Sequence, residues 1–158
     1  MSNRPALALP TALAMATLIA LGACQPDIPE PVDLGPQKEA IDHRGERGED
    51  VTGLFSPIVR SGHLYFLSGV IGRSQDGDIG AATRQAMDGI RTRLEAVDLT
   101  MDDLVKCTVF LVDMADYNGM NAAYREYFPT NPPARSALAV RELPASAQVE
   151  VECIGAAR

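Results

Sequence analysis

Two short blocks near the C-terminus contain the residue types best suited to chemistry on a small acid. Residues 132–136 read PPARS and contain a lone arginine, Arg135. Residues 148–152 read QVEVE, so that Glu150 and Glu152 share one face of a predicted strand. A guanidinium can hold a carboxylate through two parallel hydrogen bonds, and a carboxylate on a neighbouring strand could move a proton beside it. The alternative interpretation is a surface arginine and a solvated strand face.

Hydrophobic periodicity predicts the elements that would position these residues. Strands are predicted near 58–60, 64–67, 105–112, 136–141 and 147–155, and helices near 81–97 and 117–127. This order predicts one α+β domain, a mixed β-sheet with both helices on one face. The domain is too short to cover the other face, so that face either stays exposed or is buried by another subunit. Glu150 is predicted to lie on it.

Two local details refine these elements. Gly89 lies inside the first predicted helix, where glycine costs about 1 kcal/mol relative to alanine. Close packing of this helix against the sheet would explain it. Thr100 and Asp103 have the spacing of a capping box and predict a short helical turn.

Composition excludes some classes of partner. The chain has 158 residues and a formal net charge of −7. Binding to nucleic acid requires basic stripes that displace counterions from phosphates, and none is present. Nucleic acid is therefore not a predicted partner.

The first two dozen residues have the pattern of an export signal. Arg4 precedes an apolar run that ends in small residues, and residues 21–24 (LGAC) resemble a bacterial lipobox. We therefore predict a lipoprotein-type signal peptide over 1–23 and lipidation of Cys24, which anchors the protein to a membrane. An uncleaved transmembrane anchor is the alternative, and both place the domain outside the cytoplasm. We predict that the domain is periplasmic. Gln25, which follows the cysteine, favours an anchor in the outer membrane over one in the inner membrane.

Residues 24–50 are predicted to be a disordered tether that begins with the lipidated cysteine. They contain four prolines and many charges but no apolar period. The folded domain is accordingly assigned to 51–158.

Two cysteines remain in this domain, Cys107 and Cys153. An exported pair could form a disulfide. Both lie in apolar strand-like runs, where cysteine is more often a small buried hydrophobic residue. The sequence therefore favours two separate buried thiols.

Residues 53–155 resemble the RidA (YjgF) family of enamine/imine deaminases over nearly the whole domain. The resemblance rests on the order and spacing of several blocks together. These are 62–69 (GHLYFLSG), 83–86 (TRQA), 105–114 (VKCTVFLVDM), 116–124 (DYNGMNAAY), 133–136 (PARS) and 149–154 (VEVECI).

The resemblance implies a chorismate-mutase-like fold, a homotrimer with clefts between subunits, and hydrolysis of 2-imino acids to 2-oxo acids and ammonia. The family's carboxylate-binding arginine corresponds to Arg135, and the glutamate that positions or activates water corresponds to Glu150. The substrate-binding positions implied are Phe55, Ser68, Gly69, Asn121, Arg135, Ser136 and Ala137. This hydrolysis needs no metal and no organic cofactor.

Three positions depart from the family pattern. Phe55 stands where tyrosine is usual and Val70 where glutamine is frequent. Ala137 stands where the family often has cysteine or another small residue. Because the first change removes a hydroxyl from the cleft, a non-enzymatic module that binds small carboxylates is the alternative function. A ribonuclease or translation inhibitor is a third, but an acidic, exported chain suits RNA poorly.

Overall fold

The computed structural model describes residues 38–42, 44–46 and 53–157, all within the unit Asp33–Arg158. The strands are β1 (Glu39–Ile41), β2 (Ile58–Ser61), β3 (Leu64–Gly72), β4 (Leu104–Leu111), β5 (Ala134–Ala139) and β6 (Val149–Ala156). The helices are α1 (Ile79–Glu95) and α2 (Tyr117–Arg125). The sheet order is β1-β2-β3-β6-β4-β5, in which only β4 and β5 pair in parallel. The predicted α+β fold with a mixed sheet and two helices is confirmed.

Helix α1 forms where its sequence supplies a cap and an apolar stripe. The Asp78 side chain accepts a hydrogen bond from the Gly80 backbone N–H at 2.8 Å. Six residues at helical spacing are buried against the sheet: Ala82, Thr83, Ala86, Met87, Ile90 and Leu94. A Cβ atom on Gly89 would lie 2.6 Å from Val70 Cγ1, so the predicted close packing at this glycine is confirmed.

The capping box and the strand alternation are also confirmed. Asp103 Oδ2 accepts hydrogen bonds from the Thr100 backbone N–H and from its hydroxyl, both at 2.8 Å. In β6, Val149 and Val151 are fully buried in the core, whereas Glu150 between them is partly exposed. Glu150 therefore faces away from the core, as the period of two predicts.

The predicted tether is too long at its C-terminal end. Residues 39–41 form β1, which pairs antiparallel with β2 and places Ile41 opposite Ile58. Both side chains are fully buried. A three-residue strand has no readable period, and its stability comes from a partner strand that is distant in the chain.

The prediction of two separate thiols is wrong. Cys107 of β4 and Cys153 of β6 are directly paired, with their Cα atoms 4.1 Å apart, and form a disulfide. Both cysteines are buried, as predicted. The error arose because the pairing register of two strands cannot be read from either strand alone.

The predicted signal peptide, Cys24 and most of the tether lie outside the described residues. Within the described ranges, no helix is long and apolar enough to cross a membrane.

Candidate active site

Arg135 lies in a pocket between β5 and α2. Its Cα partner on β4 is the fully buried Cys107, so its side chain points toward the helix-covered face of the sheet. The guanidinium carbon lies 4.8 Å from the ring centroid of Tyr124 and 5.9 Å from that of Tyr117. Nη1 is 3.7 Å from Met120 Sδ. Aromatic faces attract this cation and fix its position without neutralising it.

The charge of Arg135 is available to a ligand. Within the described part of the chain it forms no ion pair, and its one oxygen partner is the Tyr117 hydroxyl at 3.5 Å. Most of its five donors are therefore unused. A half-buried guanidinium with free donors is suited to a carboxylate.

The cavity beside Arg135 has a volume of about 540 Å³. We call it the arginine pocket; its lining residues are Asn121, Tyr124, Arg125, Phe128, Pro129, Pro132, Pro133 and Arg135. Two predicted site residues, Asn121 and Arg135, are thus brought together. Ala137, two residues along β5 from Arg135, points to the same face and packs against the core.

Tyr124 is a member of this pocket that the sequence analysis did not identify. Its hydroxyl oxygen is buried and has no hydrogen-bond partner. Burial raises the pKa of this hydroxyl to about 12, although the charge of Arg135 opposes the shift. The available signal was helical spacing, because Tyr117, Met120 and Tyr124 recur on one face of α2.

Glu150 lies on the opposite face of the sheet, above a glycine of β3. A Cβ atom on Gly69 would overlap with Glu150 Oε1, so only glycine leaves room for this carboxylate. We call the surface formed by Ser68, Gly69 and Glu150 the glutamate face. Gly69 and Glu150 are therefore adjacent in the fold, and Ser68 directly precedes Gly69 in β3.

A β-bulge shapes this surface. The pairing of β3 with β6 shifts between Leu67 and Val70, so that Ser68 and Gly69 are displaced from the regular ladder. Strand β3 continues beyond the bulge to Gly72, whereas the sequence analysis predicted a strand only near 64–67.

Three contacts hold the bulge in place. The Ser68 backbone N–H donates to Pro57 O at 3.0 Å, and its hydroxyl donates to Ser56 O at 2.7 Å. The Arg93 guanidinium of α1 donates to Ser68 O, and burial lowers the pKa of this arginine. Phe55, 61% exposed, directly precedes Ser56 and so lies near the same surface.

The side chain of Ser136 lies on the opposite face of the sheet from that of its neighbour Arg135. Its hydroxyl lies 2.7 Å from Lys106 Nζ, and Lys106 lines a cavity of about 280 Å³ on the uncovered face together with Phe66 and Glu152. Ser136 therefore does not line the arginine pocket.

The two chemical groups are not on neighbouring strands, contrary to expectation. Strand β4 lies between β5 and β6, and Arg135 and Glu150 point to opposite faces of the sheet. Arg135 pairs with Cys107 and Glu150 with Phe110, three residues further along β4. The Cα atoms are therefore offset by about 10 Å along the strands and by two strand spacings of about 4.8 Å each. At this separation, a small ligand bound to Arg135 cannot also contact Glu150 of the same subunit.

Known proteins are similar to this chain in sequence and in fold. Residues 48–157 match the family model described as endoribonuclease L-PSP. A RutC family protein of Pyrococcus horikoshii is 38% identical over 65% of this chain and 86% of its own length. The chloroplastic Reactive Intermediate Deaminase A of Arabidopsis thaliana is 33% identical over 69% of this chain and 62% of its own length.

The crystal structure of the YjgF gene product from E. coli matches this chain with a TM-score of 0.63 and 30% identity. The match covers 75% of this chain and 97% of that one. Trimers are typical of proteins with this fold. On these grounds the chain belongs to the RidA (YjgF) family, whose model bears the description endoribonuclease L-PSP.

Proposed function

We propose that this protein hydrolyses small 2-imino acids, or their enamine tautomers, to 2-oxo acids and ammonia outside the cytoplasm. It would thus be a deaminase of the 2-iminobutanoate/2-iminopropanoate type. The observation that carries the proposal is the unpaired guanidinium of Arg135 in its aromatic pocket, together with the Glu150 carboxylate above Gly69. The name of the Arabidopsis relative, a reactive intermediate deaminase, supports it.

In the proposed reaction, Arg135 binds the substrate carboxylate by a charge-assisted contact that contributes about 1.5–3 kcal/mol. A water molecule attacks C2 of the C=N bond while Glu150 accepts a proton from it. The π electrons of the C=N bond move to nitrogen, which takes up this proton, and C2 now carries a hydroxyl and an amino group. The hydroxyl proton is then transferred to the amino group, and ammonia leaves with the electron pair of the C–N bond. The C2 oxygen becomes the carbonyl of the 2-oxo acid. One water is consumed, and no electrons pass to another acceptor.

In the proposed reaction the two groups come from different subunits. Arg135 and Glu150 of one chain face opposite sides of the sheet, and a small imino acid spans only a few ångströms. We infer that the arginine pocket of one subunit meets the glutamate face of another in a homotrimer. The uncovered sheet face exposes Phe66 and supplies apolar surface for such an interface.

Mixing two inactive variants tests this arrangement. Arg135→Ala and Glu150→Gln are each expected to abolish turnover of imines generated in situ by an amino-acid oxidase, with semicarbazide as the trap. In co-expressed heterotrimers, an intact site forms where a Glu150→Gln subunit supplies Arg135 and its neighbour supplies Glu150. With equal amounts of both variants, about a quarter of the sites are restored in a cyclic trimer. Single variants that retain turnover would contradict the assigned roles, and mixed trimers without recovered activity would contradict the shared site.

We also propose that the chain is exported, periplasmic and anchored to the membrane through lipidated Cys24. The lipobox-like end of the signal segment supports this, and so does the Cys107–Cys153 disulfide, because disulfides persist in oxidising compartments. Fractionation of cells expressing the wild type and Cys24→Ala tests it. We expect the wild type in the membrane fraction and the variant released from it; recovery of the wild type in the cytoplasm would refute the proposal.

A non-enzymatic carboxylate-binding module is the second candidate. It is favoured by the arginine pocket, which is formed within one subunit and does not include Glu150. Loss of imine turnover in Glu150→Gln would exclude this alternative, whereas an inert wild type that still binds carboxylates through Arg135 would support it.

A further inference from the structure

Arg93 of α1 is a partly buried cation that forms no ion pair among residues 38–42, 44–46 and 53–157. Its guanidinium donates to Ser68 O. Burial lowers the pKa of this guanidinium, and no carboxylate opposes the shift. A cation withdrawn from water destabilises the folded state unless its contacts offset the cost. The position of Arg93 therefore calls for an explanation in terms of what it contacts.

Helix α1 packs tightly on β3 beside the β-bulge. Gly89 and Arg93 are four residues apart and share one face of the helix. A Cβ atom on Gly89 would lie 2.6 Å from Val70 Cγ1, so this close approach needs glycine. One turn further on, Arg93 reaches Ser68 O, and Ser68 and Val70 are alternate residues of β3. Because Val70 has no polar side-chain atom, the polar contact between α1 and the bulge comes from Arg93.

This contact fixes the orientation of one peptide group. Ser68 O and Gly69 N–H belong to the same planar trans peptide and point in opposite directions. Since Ser68 O is directed toward α1, Gly69 N–H is directed toward the side of the sheet on which Glu150 lies. The Glu150 carboxylate occupies the space beside Gly69, where a Cβ atom would overlap with Oε1. Arg93 and Glu150 therefore contact one bulge from opposite sides.

The bulge depends on contacts of this kind because the β3–β6 ladder does not hold it. Neither Ser68 nor Gly69 has a partner in the register of these two strands. The other contacts of Ser68 are its hydrogen bonds to the backbone of residues 56–57, on the β2 side. Arg93 adds a hydrogen bond from the helix, and a bond donated by a cation is stronger than one between neutral groups. Without Arg93, the Ser68–Gly69 peptide would lose its anchor on α1.

We propose that Arg93 is a positioning residue for the proposed hydrolysis, because its bond to Ser68 O holds Gly69 in the orientation that leaves room for the Glu150 carboxylate. This inference rests on the proposed function and adds to it a residue on the helix-covered side of the sheet. Arg93 acts through the bulge and not on the substrate. A change at Arg93 should therefore alter the rate of proton transfer without altering carboxylate binding at the arginine pocket.

The test compares Arg93→Met, which keeps an apolar stem but loses the donors, with Arg93→Lys, which keeps a charged donor. Arg91→Met is the matched control, because Arg91 lies on the same helix, is exposed and bonds to Asp88 Oδ1 at 2.7 Å. The full chain, purified in detergent, is assayed with 2-iminopropanoate generated in situ from D-alanine by an amino-acid oxidase. Calorimetry measures the affinity for pyruvate, the product. Amide hydrogen exchange over β3 and thermal unfolding are measured in parallel.

We expect Arg93→Met to lower kcat about ten- to a hundredfold, because misplacement of a catalytic group by about 1 Å can cost about 10²-fold. The affinity for pyruvate should not change. Amide exchange at the bulge should become faster, since the peptide has lost its contact with α1. Arg93→Lys should recover most of the rate, and Arg91→Met should match the wild type in rate and in exchange.

Two results would overturn the inference while the proposed function stands. The first is an unchanged kcat or unchanged amide exchange in Arg93→Met when the wild type is active. The second is a kcat loss that comes with an equal loss of pyruvate affinity and is not rescued by Arg93→Lys, since Arg93 would then support the fold in general. An inert wild type would refute the proposed function and this inference with it. If Arg93→Met does not fold, Arg93→Gln, which is too short to reach Ser68 O, replaces it with the same expectations.

Discussion

The arginine pocket is enclosed largely by residues of one subunit, whereas the glutamate face is an open surface. In the pocket, Tyr117, Met120 and Tyr124 hold the Arg135 guanidinium within a cavity that has walls on several sides. On the glutamate face, Glu150 lies over a glycine on a surface that the helices leave uncovered.

Under the proposed function, substrate binding and chemistry would therefore be prepared in two separate regions of each subunit. The cation is oriented before any ligand arrives, which reduces the entropy lost on binding. The carboxylate needs a second surface to exclude water and to bring the substrate within reach. Variants on the two sides should therefore affect different measurements.

The largest effect is expected from Glu150→Gln. Loss of the general base should lower kcat by about 10²–10⁴-fold, while the affinity for 2-oxo acids at the arginine pocket is retained. Glu152→Gln is the matched control, since Glu152 lies two residues further on the same face and is exposed. Equal losses in both variants would show that the face acts through its charge and not through Glu150.

The next largest effect should come from removal of the disulfide between Cys107 of β4 and Cys153 of β6. For a sequence separation of 46 residues, loss of the cross-link should reduce the free energy of unfolding by about 4 kcal/mol. Chemical denaturation of a Cys107→Ala/Cys153→Ala double variant measures this change. If stability does not change, the bond does not constrain the unfolded chain.

Gly69→Ala should affect the glutamate face without affecting the arginine pocket. The new methyl group would displace the Glu150 carboxylate, the mobile end of a side chain, so the protein should still fold. Misplacement of the base by about 1 Å is expected to cost about 10²-fold in kcat, with ligand affinity unchanged. Gly155→Ala on β6 is the control, because its Cβ would meet neighbours at an ordinary 3.6 Å. A loss of affinity in Gly69→Ala would contradict the separation.

The smallest effect concerns alkaline pH and the arginine pocket alone. Burial raises the pKa of Tyr124 to about 12, above the ordinary value of 10.0, so the folded state favours the protonated hydroxyl. This contribution to stability is complete below about pH 10 and is lost as pH rises toward about 12. Tyr124→Phe should therefore lose less stability than the wild type over this range in denaturation curves. The variant keeps Tyr127, whose pKa is also raised to about 12, so the loss of stability that Tyr127 causes at alkaline pH should remain.

Much of the fold could be predicted from local patterns. The helical spacing from Ala82 to Leu94, the capping box at Thr100 and the alternation of Val149 and Glu150 each depend on residues close in the chain. These patterns placed all the elements except β1, and they placed Glu150 on the uncovered face.

The errors share a cause in long-range pairing. Strand β1 forms because it pairs with β2. The Cys107–Cys153 bond forms because the register of β4 and β6 places the two cysteines opposite each other. The order β6-β4-β5 inserts a strand between the two chemical groups. None of these pairings leaves a signal within its own segment.

The sequence by itself therefore determined the family, the elements other than β1, and the choice of Arg135 and Glu150 as candidate site residues, because residue type and local period are properties of the chain. Only the tertiary structure decided that these two groups face opposite sides of the sheet and that Tyr124 brings an unpaired hydroxyl to Arg135. The physical reason is that strand order, register and burial are set by contacts between distant segments.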